Sequence, residues 1–333
     1  MSWNASTGSW RWSPCAAAAA RAPPRCCNGS RGEPVRIGLL LDRFDWPGGP
    51  AAQGPTLRRI AVEAEQAGVA SIWINDHFLQ IPLFGEVTDP ILESWTVLAH
   101  LAAVTRRVEL GTLTTGGHHR HPGPLLKIVT TLDVLSGGRA WLGVGPAWNE
   151  REQLALGIPT YSWPERFARL EELLQVAHRA FAGDRSPYAG EHLRLAEPVF
   201  SPPPLRRPPI LVGGAHERRV FPLVARYADA CNLFEAGGLP MLRLKLDLLR
   251  RRCEEIGRDF ATLRRTSFGP LHLTRTGAGD SQTVPAALER FATLADEGFE
   301  LAIVALADPL DPAAFDLLAE LVEALAPVGV APR

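Results

Sequence analysis

Eight short apolar runs, most of them separated by a helix-like segment, follow residue 34 and limit what this chain can fold into. They are rich in Val, Ile, Leu and Trp and lack polar alternation, which is typical of parallel strands buried on both faces. The runs are Val35–Asp42, Ala70–Asn75, Arg107–Leu113, Arg139–Gly145, Pro209–Gly213, Asp229–Phe234, Ser267–Thr274 and Glu300–Leu306. Helical patterns lie between several of them, at Pro55–Ala67, Trp95–Val104, Leu125–Leu135, Phe167–Phe181 and Leu239–Ile256.

This repeat of β–α units predicts a closed (β/α)8 TIM barrel, for which ~250 residues is typical. The alternative is an open doubly wound sheet, which would carry a Gly-x-Gly-x-x-Gly signature after its first strand. The first run instead leads into Arg43-Phe44-Asp45-Trp46-Pro47-Gly48-Gly49, which does not fit that signature. We therefore favour a single α/β barrel domain over residues 34–330, with its chemistry at the C-terminal ends of the strands.

Residues 1–33 differ in composition from the rest of the chain. They hold four Arg and one Glu, three of the nine Trp and three of the five Cys, without any periodic pattern. A signal peptide is one interpretation, but its apolar core would be only Cys15–Ala20. The adjacent Cys26 and Cys27 form a poor chelating pair for a metal. We predict that residues 1–33 are a disordered N-terminal tail.

The remaining chain excludes several classes of protein. It carries a net charge of −4, because the tail accounts for +3 of the total of −1, and a mildly acidic body gives no basic field for nucleic acid. Cys231 and Cys253 lie far apart in sequence and do not suggest a disulfide framework. No apolar run reaches the ~18 residues of a membrane span. We expect a cytoplasmic homodimer that acts on a small molecule.

Candidate catalytic residues follow the second run, at Asp76-His77-Phe78. A histidine at the mouth of a barrel can serve as general acid or base, and a neighbouring carboxylate such as Asp76 can orient it. The alternative is a histidine that only stabilises its loop. The position at a strand end favours the catalytic role for His77.

The third run leads into a Gly-rich loop that ends in His118-His119-Arg120-His121-Pro122. Its small residues would let a flat ligand approach the backbone closely. The histidines suggest a metal, but the loop lacks the helical His pair or the carboxylates of a typical chelating set. We therefore predict no metal site here.

The fourth and fifth runs end in two further candidate features. Asn149 and Glu152 have the spacing of a capping box at a helix start, and Trp148 would either line a pocket or pack beneath that helix. Gly213-Gly214, followed by Ala215-His216, would place open backbone N–H groups at a helix N-terminus, which predicts a phosphate site. The proline-rich segment Ser186–Pro208 contains a hairpin-like stretch and is predicted to form a lid across the barrel mouth.

Several of these motifs together resemble the bacterial luciferase-like monooxygenase superfamily. They are Gly111-Thr112-Leu113, Arg120-His121-Pro122, Thr131–Arg139, Gly143-x-Gly-x-Ala-Trp148-Asn149-Glu150 and Arg226–Asn232. Asp76-His77-Phe78 and the Gly-Gly ending of the fifth run are most similar to the branch that uses coenzyme F420, a deazaflavin. The family's fold is the same barrel that the strand count predicts.

The resemblance implies hydride transfer at C5 of a flavin-like ring that lies across the barrel mouth. It implies a cis peptide at Leu113–Thr114 against the ring, with Thr115 next to it, and His77 near the reacting centre. Trp148, Asn149 and the segment Gly213–His216 would hold the ring edge and the phosphate. The sugar-phosphate dehydrogenases of this family carry an acid at the end of strand 4, where this chain has Trp148, which argues against the acid chemistry of those members.

Three functions therefore remain open. The first is an F420-dependent oxidoreductase with a small organic substrate. The second is a flavin mononucleotide (FMN) monooxygenase that uses O2 and reduced flavin from a separate cofactor reductase. The third is a barrel that binds flavin or a partner without catalysis, which the Asp76-His77 pair argues against.

Overall fold

A computed structural model describes residues 2–4, 9–11, 34–214 and 216–326. Residues 34–326 form a barrel of parallel strands surrounded by helices. The strands are β1 Arg36–Leu41, β2 Ser71–Ile74, β3 Glu109–Thr112, β4 Leu142–Gly145, β5 Ile210–Gly213, β6 Ala230–Phe234, β7 Arg264–Leu271 and β8 Leu301–Leu306. Each lies within one of the eight predicted runs except β7, which begins three residues before the predicted Ser267. The charged residues Arg264 and Arg265 interrupt the apolar pattern at the start of β7. Cζ of Arg264 nevertheless packs over Trp141, 5.0 Å from the ring centroid.

The sheet closes on itself, which excludes the open doubly wound alternative. In the sheet, β3 pairs with β2, β2 with β1, β1 with β8, and the series continues through β7, β6 and β5 to β4. A parallel bridge between Leu110 and Ala140 joins β3 to β4, and the short strand Thr115–Gly116 pairs with the end of β4. The backbones of β3 and β4 lie so close together that a Cβ on Gly143 would be 1.8 Å from the carbonyl oxygen of Thr112. The predicted (β/α)8 barrel is therefore confirmed.

Helices cover the outside of the barrel and bury the outward-facing side chains of the strands. Within the described residues they are α1 Pro50–Gln66, α2 Ser94–Val104, α3 Pro122–Ser136, α4 Glu150–Ala155, α5 Trp163–Phe181, α6 Glu217–Tyr227, α7 Gly238–Glu255, α8 Val284–Asp296 and α9 Pro312–Leu325. A second, smaller apolar cluster that includes Leu40, Trp73, Trp141 and Ile303 contributes inward-facing residues from the strands. Because both faces of every strand are covered, all eight strands could be recognised as apolar runs.

The segment predicted to be a lid packs against the outer helices α3 and α5. Tyr188–Ala189 and Arg194–Leu195 do form the expected hairpin, but the insertion connects the end of α5 to the start of β5. It packs along the outside of the barrel, where Glu172 of α5 accepts hydrogen bonds from the backbone of residues 191 and 192, and Asp133 of α3 accepts them from residues 205 and 206. The hairpin reaches the N-terminal ends of these helices, since Nδ1 of His192 lies 3.9 Å from Glu165 in the first turn of α5. It therefore lies outside the barrel near the rim of the mouth, and its role as a lid stays a prediction.

Most of the tail predicted over residues 1–33 lies outside the described residues. Ser2–Asn4 and Ser9–Arg11 form a short antiparallel ladder. No helix in the described part of the chain is long and apolar enough to cross a membrane.

A chain beginning at Glu33 should melt within a few degrees of the full-length protein. The tail lacks the periodic apolar pattern needed to dock on the barrel, so its removal should expose little buried surface. Thermal unfolding of both chains, followed by circular dichroism, measures the difference. A large loss of stability in the shortened chain would show that the tail is structural.

Candidate active site

A buried carboxylate holds the imidazole of His77 at the end of β2. Nδ1 of His77 lies 2.8 Å from Oε1 of Glu152, whose side chain is fully buried. Oε2 of Glu152 accepts a hydrogen bond of 2.9 Å from the backbone N–H of Phe78. Because a carboxylate can only accept, Nδ1 of His77 carries a proton, and Nε2 is left to accept one from a ligand or to return it.

Asp76 is not the acid that orients His77, in contrast to the sequence prediction. Its carboxylate forms a two-point ion pair with Arg120, at 2.6 and 2.9 Å, and accepts a hydrogen bond of 2.6 Å from Ser94. Burial favours the neutral acid, but the bonds from Arg120 and Ser94 outweigh it and hold the pKa of Asp76 below its ordinary value. The two neighbouring side chains therefore have different partners. Glu152 orients His77, and Asp76 anchors the loop that carries it.

Asp76→Asn should destabilise the protein by at most about 3 kcal/mol, because it removes the two-point partner of Arg120 and leaves Glu93 as the remaining counter-charge. The pKa of Asp76 is lowered on folding, so its contribution is present above the ordinary pKa of 3.8 and is lost as the pH falls through the lower folded value. Urea unfolding at neutral and acid pH measures this difference. Asp316→Asn, on the exposed side of α9, is the matched control. Equal stability of both variants at neutral pH would contradict the anchoring role.

Two further histidines, His118 and His119, pack against each other near Glu152, with a ring-centroid distance of 5.8 Å. The side chain of His119 is 2% exposed, with Nε2 3.9 Å from Oε1 of Glu152. Gly116 makes room for it, since a Cβ there would lie 2.6 Å from the ring of His119. Burial lowers the pKa of His119, and it lowers the pKa of His118 to about 4, so both rings are neutral near pH 7. No group of three or more His, Cys, Asp or Glu is placed to hold a metal ion in the part of the chain that the structure describes.

The end of β3 lies at the centre of the barrel mouth. The peptide bond between Leu113 and Thr114 is cis, as the resemblance implied. Thr114 lies against the ends of β4 and β5, because a Cβ on Gly145 or on Gly213 would come within 2.7 or 2.8 Å of its side chain. The hydroxyl of Thr115 is buried and accepts a hydrogen bond of 3.1 Å from Nε1 of Trp95. Any contact of Thr115 with a cofactor would therefore involve its backbone.

The turn after β4 brings Trp148 beside His77 but does not form the predicted capping box. Asn149 stands at the N-cap of α4 without a side-chain cap hydrogen bond, and Glu152 bonds to the β2 loop instead. Trp148 is 38% exposed and meets the ring of His77 edge-on at a centroid distance of 5.6 Å. Of the two predicted roles for Trp148, the structure therefore supports lining the pocket.

The end of β5 has the features of an anion site. Gly214 has a φ of 139°, which other residues rarely adopt. None of the described side chains caps the N-terminus of α6, where His216 is the N-cap residue and packs edge-on against Phe167 at 5.7 Å. The first N–H groups of a helix have no partner within it and favour negative charge. Ala215 lies outside the described residues, so its predicted contact is not tested.

A buried acid that sequence reasoning did not single out follows β1 directly. Asp42 is 6% exposed and lines a cleft of about 180 Å³ between the ends of β1 and β8. Burial raises the pKa of Asp42 to about 6, against a smaller lowering by Arg43. An acid as the last residue of a buried strand, on the functional face of a barrel, is the signal that could have identified it.

Asp42→Asn should stabilise the protein above pH 6. The pKa of Asp42 is raised from 3.8 to about 6 on folding, so the folded state pays a penalty for ionisation that is absent below 3.8 and complete above about 6. A shift of this size corresponds to roughly 3 kcal/mol at most. Urea unfolding at pH 8 should show the gain, and the gain should shrink as the pH is lowered toward 4. A variant less stable than the natural protein at pH 8 would show that a donor stabilises the carboxylate.

The family model of luciferase-like monooxygenases matches residues 36–329, nearly the whole barrel. The chain belongs to the luciferase-like monooxygenase family. An F420-dependent glucose-6-phosphate dehydrogenase of Nakamurella multipartita is 32% identical over 227 residues, which are 64% of this chain and 65% of that protein. A phthiodiolone/phenolphthiodiolone dimycocerosates ketoreductase of Mycobacterium sp. is 30% identical over 229 residues, 63% of this chain and 59% of that protein. The matches thus span less than two thirds of the length of either relative.

Several solved structures share the fold at low sequence identity. An F420-dependent secondary alcohol dehydrogenase, in complex with an F420-acetone adduct, superposes with a TM-score of 0.72 at 15% identity, covering 88% of this chain and all of that one. The oxygenating constituent of a 3,6-diketocamphane monooxygenase of Pseudomonas putida, in complex with FMN, gives 0.71 at 16% identity, covering 90% of this chain and all of that one. The fold alone therefore does not choose between F420 and FMN.

Proposed function

We propose that the protein is an F420-dependent oxidoreductase that transfers a hydride between the deazaflavin and a small organic substrate. The observation that supports this proposal most strongly is the position of His77. Glu152 holds its imidazole at the end of β2, and Nε2 is left to contact a ligand. Relatives named as F420-dependent dehydrogenases, at about 30% identity, support the choice of cofactor. When bound, F420 supplies a hydride donor or acceptor at C5 of its ring.

The residues around the mouth fit a planar cofactor with a phosphate. The glycines at 213 and 214 and the open N-terminus of α6 would bind the phosphate. Thr114 and the backbone of the cis peptide would support the ring, with Trp148 at its edge. These groups come from β3, β4 and β5, which meet at one end of the barrel.

His77 would move the proton that accompanies hydride transfer. Oxidation of an alcohol to a carbonyl removes a hydride from carbon and a proton from oxygen, and reduction reverses both. His77, with Nδ1 donating to Glu152, would accept that proton at Nε2. The buried carboxylate would stabilise the resulting imidazolium, as it does in other His–carboxylate pairs.

Titration of the full-length protein with F420 and with FMN side by side tests the choice of cofactor. We expect F420 to bind at least tenfold more tightly, a difference of ~1.4 kcal/mol. Reduced and oxidised forms of each cofactor are compared under the same anaerobic conditions. Tight binding of FMN alone would favour the monooxygenase, which would need O2 and a separate reductase.

A further inference from the structure

The cleft beside Asp42 opens at the barrel mouth and adjoins the loop that carries His77. Its lining includes Leu40, which also belongs to the apolar cluster of inward-facing strand residues, and Leu306 at the end of β8. Nε2 of Gln80, three residues after His77, donates a hydrogen bond of 3.0 Å to the backbone oxygen of Asp42. The cleft therefore borders the loop that carries His77, whereas β5, which carries the proposed phosphate site, is not a neighbour of β1 or β8 in the sheet.

The charged groups around this cleft are mainly acidic. Asp42, Asp45 and Asp308 line it together with a single cation, Arg43. The guanidinium of Arg43 donates a hydrogen bond of 3.0 Å to the carbonyl oxygen of Ala307 and lies 3.7 Å from Asp42. One arginine against three carboxylates leaves a net negative lining, which disfavours a phosphate or carboxylate ligand.

Asp42 is the most buried of these acids, and its carboxylate contacts its own backbone N–H but no described cationic group within hydrogen-bond distance. Its side chain is 9% exposed, and none of the described side chains donates it a hydrogen bond. Trp46, Leu306 and Leu310 supply apolar surface in the same cleft. A buried carboxylate without a hydrogen-bonded counter-charge, beside apolar walls, is complementary to an organic cation.

We infer that this cleft is the substrate subsite and that it binds a protonated amine, with the ammonium group on Asp42 and the hydrocarbon part against the apolar walls. The inference rests on the proposed function for the presence of a substrate at this mouth. The substrate is then an amino alcohol or an amino ketone rather than a sugar phosphate. Its carbinol or carbonyl carbon would lie toward His77, and its nitrogen toward β1.

Three probes of equal ring size separate charge from shape: cyclohexylammonium, cyclohexanol and cyclohexanecarboxylate. Their dissociation constants are measured by calorimetry at pH 8 on the full-length protein, with and without F420. We expect cyclohexylammonium to bind at least tenfold more tightly than either of the others. Asp42→Asn should abolish that preference, whereas Asp316→Asn, which removes an exposed carboxylate of α9, should retain it.

Either of two results overturns the inference: equal binding of cyclohexanol and cyclohexylammonium, or an Asp42→Asn variant that keeps the preference for the amine. Preferred binding of the carboxylate would also do so. Circular dichroism of Asp42→Asn confirms that the variant is folded before its affinities are compared. The probes are also tested without cofactor. A failure of the protein to bind F420 would therefore reject the proposed function, while the amine preference of the cleft could still be measured.

Discussion

His77→Asn should lower turnover by ~10²-fold or more, the usual range for loss of a general acid or base. Asn keeps a polar group of similar size at the end of β2 but cannot exchange a proton near neutral pH. The fold and much of the F420 affinity should persist, because Asp76, Arg120 and Ser94 anchor the loop independently of the imidazole. Turnover per folded molecule and melting temperature are measured on one preparation.

Glu152→Gln is the companion variant, and it tests a positioning role. Gln is close in size and can still accept the hydrogen bond from Phe78, but it does not fix the proton on Nδ1 of His77. We expect a smaller loss of turnover than in His77→Asn, together with a shifted pH profile of kcat.

A His77→Asn variant that is unstable yet fully active per folded molecule would show that the imidazole is only structural.

Gly214→Asp should reduce F420 affinity by at least tenfold, or ~1.4 kcal/mol. The substitution adds a negative charge at the open N-terminus of α6, where the cofactor phosphate is proposed to bind. Gly214 has a φ of 139°, so any side chain there is strained. Gly214→Ala is therefore the matched control, since it adds the same Cβ without charge.

The two Gly214 variants are compared by F420 titration and by thermal unfolding. We expect similar melting temperatures and a much weaker affinity in Gly214→Asp alone. An unchanged dissociation constant in a folded Gly214→Asp variant would place the phosphate elsewhere. Equal losses of affinity in both variants would attribute the effect to the backbone rather than to charge.

The barrel could be predicted from the sequence because parallel strands covered on both faces leave an unmistakable apolar signal. The segment 186–208 shows the limit of that approach. Its prolines and hairpin were recognised, but its position depends on the face at which an αβ connection emerges, and this topology places it outside α3 and α5.

The candidate site could be predicted only in part, because sequence adjacency does not give side-chain direction. His77 was found from its place at a strand end, but its carboxylate partner came from α4 rather than from the neighbouring Asp76. Glu152 has the spacing of a capping box, which is a sufficient local explanation for a glutamate at that position. Its contact with His77, 75 residues away in sequence, could therefore not be predicted. Asp42 is the last residue of a predicted strand and was not predicted as a site residue. Its burial and its position in a cleft identify it as a candidate.

Anaerobic turnover with F420 tests the central claim most directly. The purified protein is mixed with oxidised or reduced F420 and a panel of alcohols, amino alcohols and the matching ketones, and the deazaflavin absorbance is followed without oxygen. We predict a substrate-dependent change between oxidised and reduced F420 that is lost in His77→Asn. Turnover only with reduced FMN and O2, with no change in F420 under any substrate, would contradict the account.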